Sequence, residues 1–293
     1  MITIMGATGH TGSATTDKLL AAKQPVRVLG RSAERLQPYV KRGATPAIGD
    51  ATNSAFLTDA FRGASAIYVL VPPDYGQSDP FAYYDKVGAA VETAVKKTGV
   101  KRLVLLSSLG AERPAGCGLI GGLHRVEERL KQLEVSTVSL RAGFFMENFF
   151  GMLGMIKQQG IMGGATPPEV PISMVATHDI GAVAAEELQK TGAPGFTTRE
   201  LLGPRDYSMA EAARIIGQKI GKPDLQYVQF PDDGVKQAFM GMGFSPRAAE
   251  LFVEMAKGIG SNVKTLEGRN VRNSTPTSLE EFAVKLGEAY RGI

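Results

Sequence analysis

Three glycines open the chain at a spacing suited to holding phosphate: Gly6-Ala7-Thr8-Gly9-His10-Thr11-Gly12. The apolar run from Met1 to Met5 precedes them, and a helical pattern from Thr11 to Ala22 follows, with Ala14, Leu19 and Leu20 on its inward face. Strand, glycine turn and helix in that order bring unpaired backbone N–H groups and the positive end of a helix dipole to one point, which favours a pyrophosphate. Thr8, His10 and Thr11 belong to the same cradle as Gly6, Gly9 and Gly12. Other chemistries are poorly served. The single cysteine, Cys117, can form no internal disulfide. His10, His124 and His178 lack the i, i+4 spacing of a two-histidine metal face, so no metal is expected.

The turn needs a sheet to hold it, and the first half of the chain has the rhythm of one. Strand-like runs at Val26–Leu29, Thr45–Ile48, Ala66–Val71, Arg102–Leu106 and Ser136–Leu140 alternate with helical stretches at Ala33–Lys41, Ala55–Phe61, Phe81–Thr98 and His124–Leu133. Runs without polar alternation are buried on both faces. Their alternation with helices predicts an α/β fold: a Rossmann-type doubly wound parallel sheet with right-handed crossovers. After residue 150 the rhythm changes. Short strands at Ile172–Val175 and Glu200–Leu202, returning to the sheet or lying beside it, interleave with helices at Ile180–Gln189, Met209–Ile220, Asp232–Met240, Pro246–Lys257 and Leu279–Tyr290. The expected organisation is a dinucleotide-binding domain over 1–150 and a smaller, mostly helical substrate or lid domain over 151–293. The second should roof the carboxyl edge of the sheet, where ligands of such folds bind.

Composition agrees with a globular protein: 43% hydrophobic and 21% charged residues among 293, with 35 glycines. No apolar run approaches the roughly 18 residues that span a bilayer, and the opening segment has no basic stretch of the kind that begins a secretion signal. A cytoplasmic protein without membrane contact is expected. Net charge is +4, but it is uneven. Residues 1–150 hold 18 basic and 13 acidic side chains, residues 151–293 hold 15 and 16. With no run of five basic residues, a nucleic-acid arm is disfavoured, and the excess suits a pocket for a small polyanion.

The Gly-x-x-Gly-x-x-Gly spacing resembles that of the short-chain dehydrogenase superfamily. In such a site the cofactor is chosen at the end of the second strand, which here reads Val28-Leu29-Gly30-Arg31-Ser32 with Arg35 one turn on. A site for NAD places an acidic residue there, whereas Arg31 can fork onto a ribose 2′-phosphate and Ser32 can add a hydroxyl. NADPH is expected in preference to NADH. Asp50, followed by Ala51 after the third strand, is placed to accept from the adenine amino group; the alternative is that it caps the helix beginning near Ala55. Val71, Pro72 and Pro73 would form an apolar wall beside the cofactor. Ser107 and Ser108 end the fifth strand near the nicotinamide ribose.

A narrower resemblance covers nearly the whole chain. Gly6–Gly12, Leu105-Leu106-Ser107-Ser108, Leu140–Phe149, His178-Asp179-Ile180-Gly181 and Leu202-Gly203-Pro204 resemble the NmrA-like family of atypical short-chain dehydrogenases. That resemblance implies NADPH-dependent reduction of quinones, azo dyes or triphenylmethane dyes, or the non-catalytic regulatory role of NmrA itself. Ala142 stands where the family usually has proline. None of the eight tyrosines is followed by a lysine four residues later, so the tyrosine–lysine acid pair of regular short-chain dehydrogenases is missing. The corresponding helix carries His124 and Glu128 at that spacing instead, a pairing that resembles several NmrA-like members, with Lys131 three residues beyond Glu128.

Without a strong acid, an unactivated ketone is a poor substrate. A quinone, azo bond or cationic dye needs less help, because it delocalises or neutralises the charge that a hydride brings. His124 is the candidate proton donor, and Asn148 is a candidate to orient the nicotinamide or the substrate. Gly143 and Phe144 follow the sixth strand where it opens toward the cofactor. Phe145 and Phe149, with Phe239 and Met242 from a lid, are candidates to line a pocket for a small planar apolar substrate. The expected function is an NADPH-dependent reductase of a quinone or similar electron-poor aromatic, as monomer or homodimer. The alternative is a non-catalytic NAD(P)H sensor that signals through a protein partner.

Overall fold

The computed structural model describes all 293 residues. Strands β1 (Ile2–Ile4), β2 (Val26–Gly30), β3 (Thr45–Ile48), β4 (Ala66–Val69), β5 (Arg102–Ser108) and β6 (Ser136–Ala142) are separated by helices α1 (His10–Ala21), α2 (Ala33–Val40), α3 (Ser54–Phe61), α4 (Pro80–Thr98) and α5 (Ile120–Leu130). The chain then enters a smaller lobe through β7 (Phe144–Phe145), a 3₁₀ helix (Met146–Met152), α6 (Leu153–Gln159), β8 (Ile161–Gly164) and β9 (Ile172–Val175). It returns with α7 (Thr177–Leu188) and β10 (Gly195–Leu201). It ends with β11 (Asp206–Tyr207), α8 (Met209–Ile220), β12 (Gln226–Gln229), α9 (Asp232–Gly241), α10 (Pro246–Gly258) and α11 (Leu279–Arg291).

The main sheet has the order β10-β6-β5-β4-β1-β2-β3, and every pair in it is parallel. The order reverses between β1 and β4, which is where a crevice opens at the carboxyl edge of such sheets. Ile4 stands opposite both Val28 and Tyr68, so the loops after β1, β2 and β4 leave from one edge. Alternation along each strand fills the two faces. Ile4, Tyr68 and Val104 pack toward α1 and α7, while Met5, Ile67, Leu103 and Leu105 pack toward α3, α4 and α5. Helix α4 shows why the elements stop where they do: Asp79 accepts from the Ala82 N–H at 3.0 Å, Pro80 occupies the first turn, and Gly99 follows the last.

The smaller lobe has its own core, centred on Met146, Phe149, Met174, Tyr207, Ile216 and Phe282. Strands β7, β9 and β11 form one small sheet there and β8 pairs with β12. The expected strand over 172–175 is present, in this lobe. The one expected over 200–202 is the end of the seven-residue β10, which completes the large sheet beside β6. Helix α7 also belongs to the large layer, with Gly181 lying so close to α1 that a side chain there would meet the Ala14 Cβ at 2.4 Å.

Three expected boundaries shift, two of them around one buried group. Strands β5 and β6 run two residues past the expected ends, through Ser107, Ser108, Arg141 and Ala142. Their polar side chains at 107, 139 and 141 share one buried carboxylate, Glu127, so the sheet need not stop at them. Helix α5 starts at Ile120 rather than His124, which places His124 in the second turn.

Candidate active site

At the switch point between β1 and β4 lies a cleft of about 580 Å³. Its floor is the glycine turn. Gly6 has a φ of +65°, a conformation that suits glycine. A side chain at Gly12 would lie 2.2 Å from the Gly6 carbonyl oxygen. Gly12 therefore lets α1 close onto the turn from beneath, and it does not line the cleft. Gly6, Thr8, Gly9, His10 and Thr11 do line it.

The mouth of α1 is built for an anion. Gly9 caps it without a side-chain hydrogen bond, the first turn has no acidic residue, and the Ser13 N–H is the first to reach back, to the Gly9 carbonyl. The amides of His10, Thr11 and Gly12 are thus left with no acceptor in the chain, the arrangement that a pyrophosphate would complete. The residues present fit a dinucleotide cofactor.

Beside the turn, the exposed Arg31 lines the cleft and pairs with no group of the protein. Its neighbours are already engaged. Ser32 caps α2 by accepting from the Arg35 N–H at 3.3 Å, and Arg35 Nη2 donates to the Thr8 carbonyl at 3.2 Å, tying α2 to the glycine turn. Asp50 Oδ1 accepts from the Thr52 N–H at 2.7 Å and the Thr52 hydroxyl at 2.6 Å. These two bonds, with Arg31 adding a weaker pull, hold its carboxyl below the ordinary aspartate range. The cap of α3 is Asn53, not Asp50. Asp50 and Ala51 both line the cleft, as do Val71, Pro72 and Pro73 on the opposite wall.

At the far end stand Ser107, Ser108, Gly143 and Phe145. Strand alternation on β7 separates the two phenylalanines: Phe145 faces the cleft, whereas Phe144 turns into the small lobe with its ring 5.4 Å from that of Phe149. Phe149 is buried there and lines no part of the cleft. Phe239 lies behind the wall, in a cluster of rings with Phe244, Phe252 and Tyr75, and only Tyr75 reaches the cleft. Met242 is 71% exposed and away from it.

The two candidates for catalysis stand outside as well. His124 Nδ1 donates to the Ala111 carbonyl at 2.9 Å, and Asn148 is exposed on the 3₁₀ helix. Glu147, next to it, has a structural use: both of its oxygens accept from the Thr177 N–H at 3.0 Å, capping α7. Glu128 is exposed and ion-paired with Lys131.

The buried carboxylate of α5 is its neighbour Glu127, with no exposed surface. Its Oε1 accepts from Ser107 at 2.7 Å, from Ser139 at 2.8 Å and from Arg141 Nε at 3.1 Å, and its Oε2 accepts from Arg141 Nη2 at 2.6 Å. Burial opposes its ionisation. Arg141 and the two hydroxyls outweigh burial and keep the carboxyl below the ordinary glutamate range. Sequence reading passed over Glu127, although it falls one turn from Leu123 on the same stripe as Val126 and Leu130.

It also passed over three tyrosines of the cleft wall: Tyr75, Tyr83 and Tyr84. Burial, with the fields of Asp74 and Asp50, pushes Tyr83 up to about 12, and burial raises Tyr84 further.

Residues 1–283 match the NmrA-like family. Among curated relatives, the NAD(P)H azoreductase of Xenophilus azovorans is 29% identical over 259 residues, 87% of this chain and 86% of that protein. Among solved structures, the NADPH-dependent quinone oxidoreductase of Escherichia coli, complexed with NADPH, superposes with a TM-score of 0.82 at 22% identity, covering 98% of this chain and 99% of the other. The triphenylmethane reductase of Citrobacter sp., complexed with NADP(H), gives a TM-score of 0.80 at 22% identity, covering 98% and 100%. These two likenesses establish the fold.

Proposed function

The chain belongs to the NmrA-like family and is an oxidoreductase of the kind its relatives represent; we propose that it draws electrons from NADPH and passes them to a quinone or similar electron-poor aromatic. The observation that carries this reading is the continuity of one cleft, from the unpaired guanidinium of Arg31 past the bare amides of α1 to an apolar end at Leu123, Phe145 and Tyr84. When bound, a nicotinamide cofactor supplies a hydride, two electrons with one hydrogen nucleus.

The chain's own residues do the rest. The amides of His10 and Thr11 would hold the pyrophosphate, and Arg31 would distinguish a 2′-phosphate from a hydroxyl. Asp50 would accept from the adenine, and Ser107, Ser108 and Gly143 would border the ribose at the reactive end. Pro72, Pro73 and Phe145 give walls with no donor groups, which exclude water and suit a flat ring. The cleft lacks the tyrosine–lysine pair that would protonate an alkoxide, so acceptors that spread their own charge are favoured.

No helix is long and apolar enough to cross a membrane. The buried free thiol of Cys117 suits a reducing compartment, in keeping with a cytoplasmic enzyme. The test is NADPH and NADH oxidation by the purified protein with quinones, azo compounds and cationic dyes. Turnover that prefers NADPH supports the reading. Saturable NADPH binding with turnover on none of them would favour a sensor of the NmrA type.

A further inference from the structure

We propose that Tyr84, from α4, donates a hydrogen bond from its phenolic O–H to the oxygen or nitrogen of the acceptor that gains charge, in a site without the tyrosine acid on α5. The inference rests on the reductase reading above and names a residue that acts on the acceptor within it.

Tyr84 lines the apolar end of the cleft together with Leu123 of α5. Its ring lies across α5 at Gly122, where a side chain would meet the ring at 2.5 Å from Cγ. A glycine inside a helix costs about 1 kcal/mol relative to alanine. Gly121 and Gly122 stand side by side in α5, and what Gly122 admits is this ring. The hydroxyl of the half-buried Tyr84 makes no hydrogen bond within the chain, whereas the buried Tyr207 has both Leu279 and Glu280 as partners. A phenol held against a cleft wall with no partner of its own has its donor available to whatever enters.

Burial and the neighbouring tyrosines hold Tyr84 protonated. That makes it a poor acid and a durable hydrogen-bond donor, so its role is to stabilise developing negative charge rather than to surrender its proton. A neutral quinone that accepts a hydride becomes a hydroquinone monoanion, and the second proton then comes from water. A cationic triarylmethyl dye that accepts a hydride becomes a neutral leuco dye and develops no anion. Tyr84 has charge to stabilise in the first reaction and none in the second.

That difference provides the test. In Tyr84→Phe the quinone-to-cationic-dye ratio of kcat/KM should fall at least about tenfold, the size expected for losing one hydrogen bond to a charged group. Gly122→Ala, which displaces the ring and keeps the hydroxyl, should lower the ratio in the same direction. In a readout without turnover, calorimetric affinity of the protein for an anionic hydroxynaphthoquinone should drop severalfold in Tyr84→Phe. An unchanged ratio and unchanged affinity would overturn the role of Tyr84 while leaving the reductase reading standing. Wild-type protein that reduces neither acceptor would overturn the reductase reading itself.

Discussion

Ser107, a residue of the cleft lining, turns its hydroxyl proton inward, onto Glu127 Oε1 at 2.7 Å. Toward a ligand it therefore offers lone pairs, and it can accept but not donate without breaking that bond. Arg141 Nη1 reaches on to Glu112 Oε2 at 3.3 Å, so two carboxylates share one guanidinium behind the reactive end of the cleft.

Glu127→Gln should cost about 3 kcal/mol of unfolding free energy at neutral pH, because the buried Arg141 would keep only its longer ion pair, with Glu112 at 3.3 Å. The carboxyl is held below its ordinary value. Its stabilisation is therefore complete above the unfolded-state value of about 4.3 and is lost as pH falls through the lower folded value. Denaturant titrations of wild type and variant should converge as pH drops below about 4. A constant gap across that range would mean that Glu127 is not ionised in the native protein.

Arg31→Ala should raise the dissociation constant for NADPH by about ten- to a hundredfold, the loss of a charge-assisted fork, and leave that for NADH within about twofold. Fluorescence titration of each cofactor decides it. Equal weakening of both would remove the 2′-phosphate assignment.

Gly12→Ala should destabilise the protein by several kcal/mol or prevent folding, since the new methyl would meet the backbone of Gly6 and neither side can yield. Gly9→Ala, whose methyl would lie 3.4 Å from the same oxygen, should keep the fold. Thermal melts of the two should differ sharply.

His124→Ala should change kcat by less than about twofold, because the ring is tied to Ala111 and does not border the cleft. Its stability cost should be about 1 kcal/mol for the hydrogen bond. A tenfold fall in kcat with unchanged stability would restore it to the chemistry.

The parallel sheet was readable because its strands are apolar where both faces are covered, as Ala66–Val69 is. Pairs such as Ile161–Gly164 with Gln226–Gln229 carry no such signal, being glycine-rich on one side and exposed and polar on the other. Most of the cradle was readable too, since phosphate binding imposes a spacing on glycine. The wall opposite it imposes none. Phe149 and Phe145 look alike in sequence, and only the pleat of β7 and the turn after it send one to the cleft and the other to a core. Glu127 and Glu128 are adjacent carboxylates of α5, one buried and one exposed, and the apolar stripe of Leu123, Val126 and Leu130 was the signal that separates them. For Tyr84 the signal was the glycine pair in α5, which asks for a large neighbour without naming it.

The most direct test of the central claim is mass spectrometry of the leuco dye formed from a cationic triarylmethyl acceptor and NADPH deuterated at nicotinamide C4 on the transferred face. The account predicts one deuterium per molecule, fixed at the central carbon. A leuco dye free of deuterium, or no reduction of any acceptor by a protein that binds NADPH tightly, would contradict it.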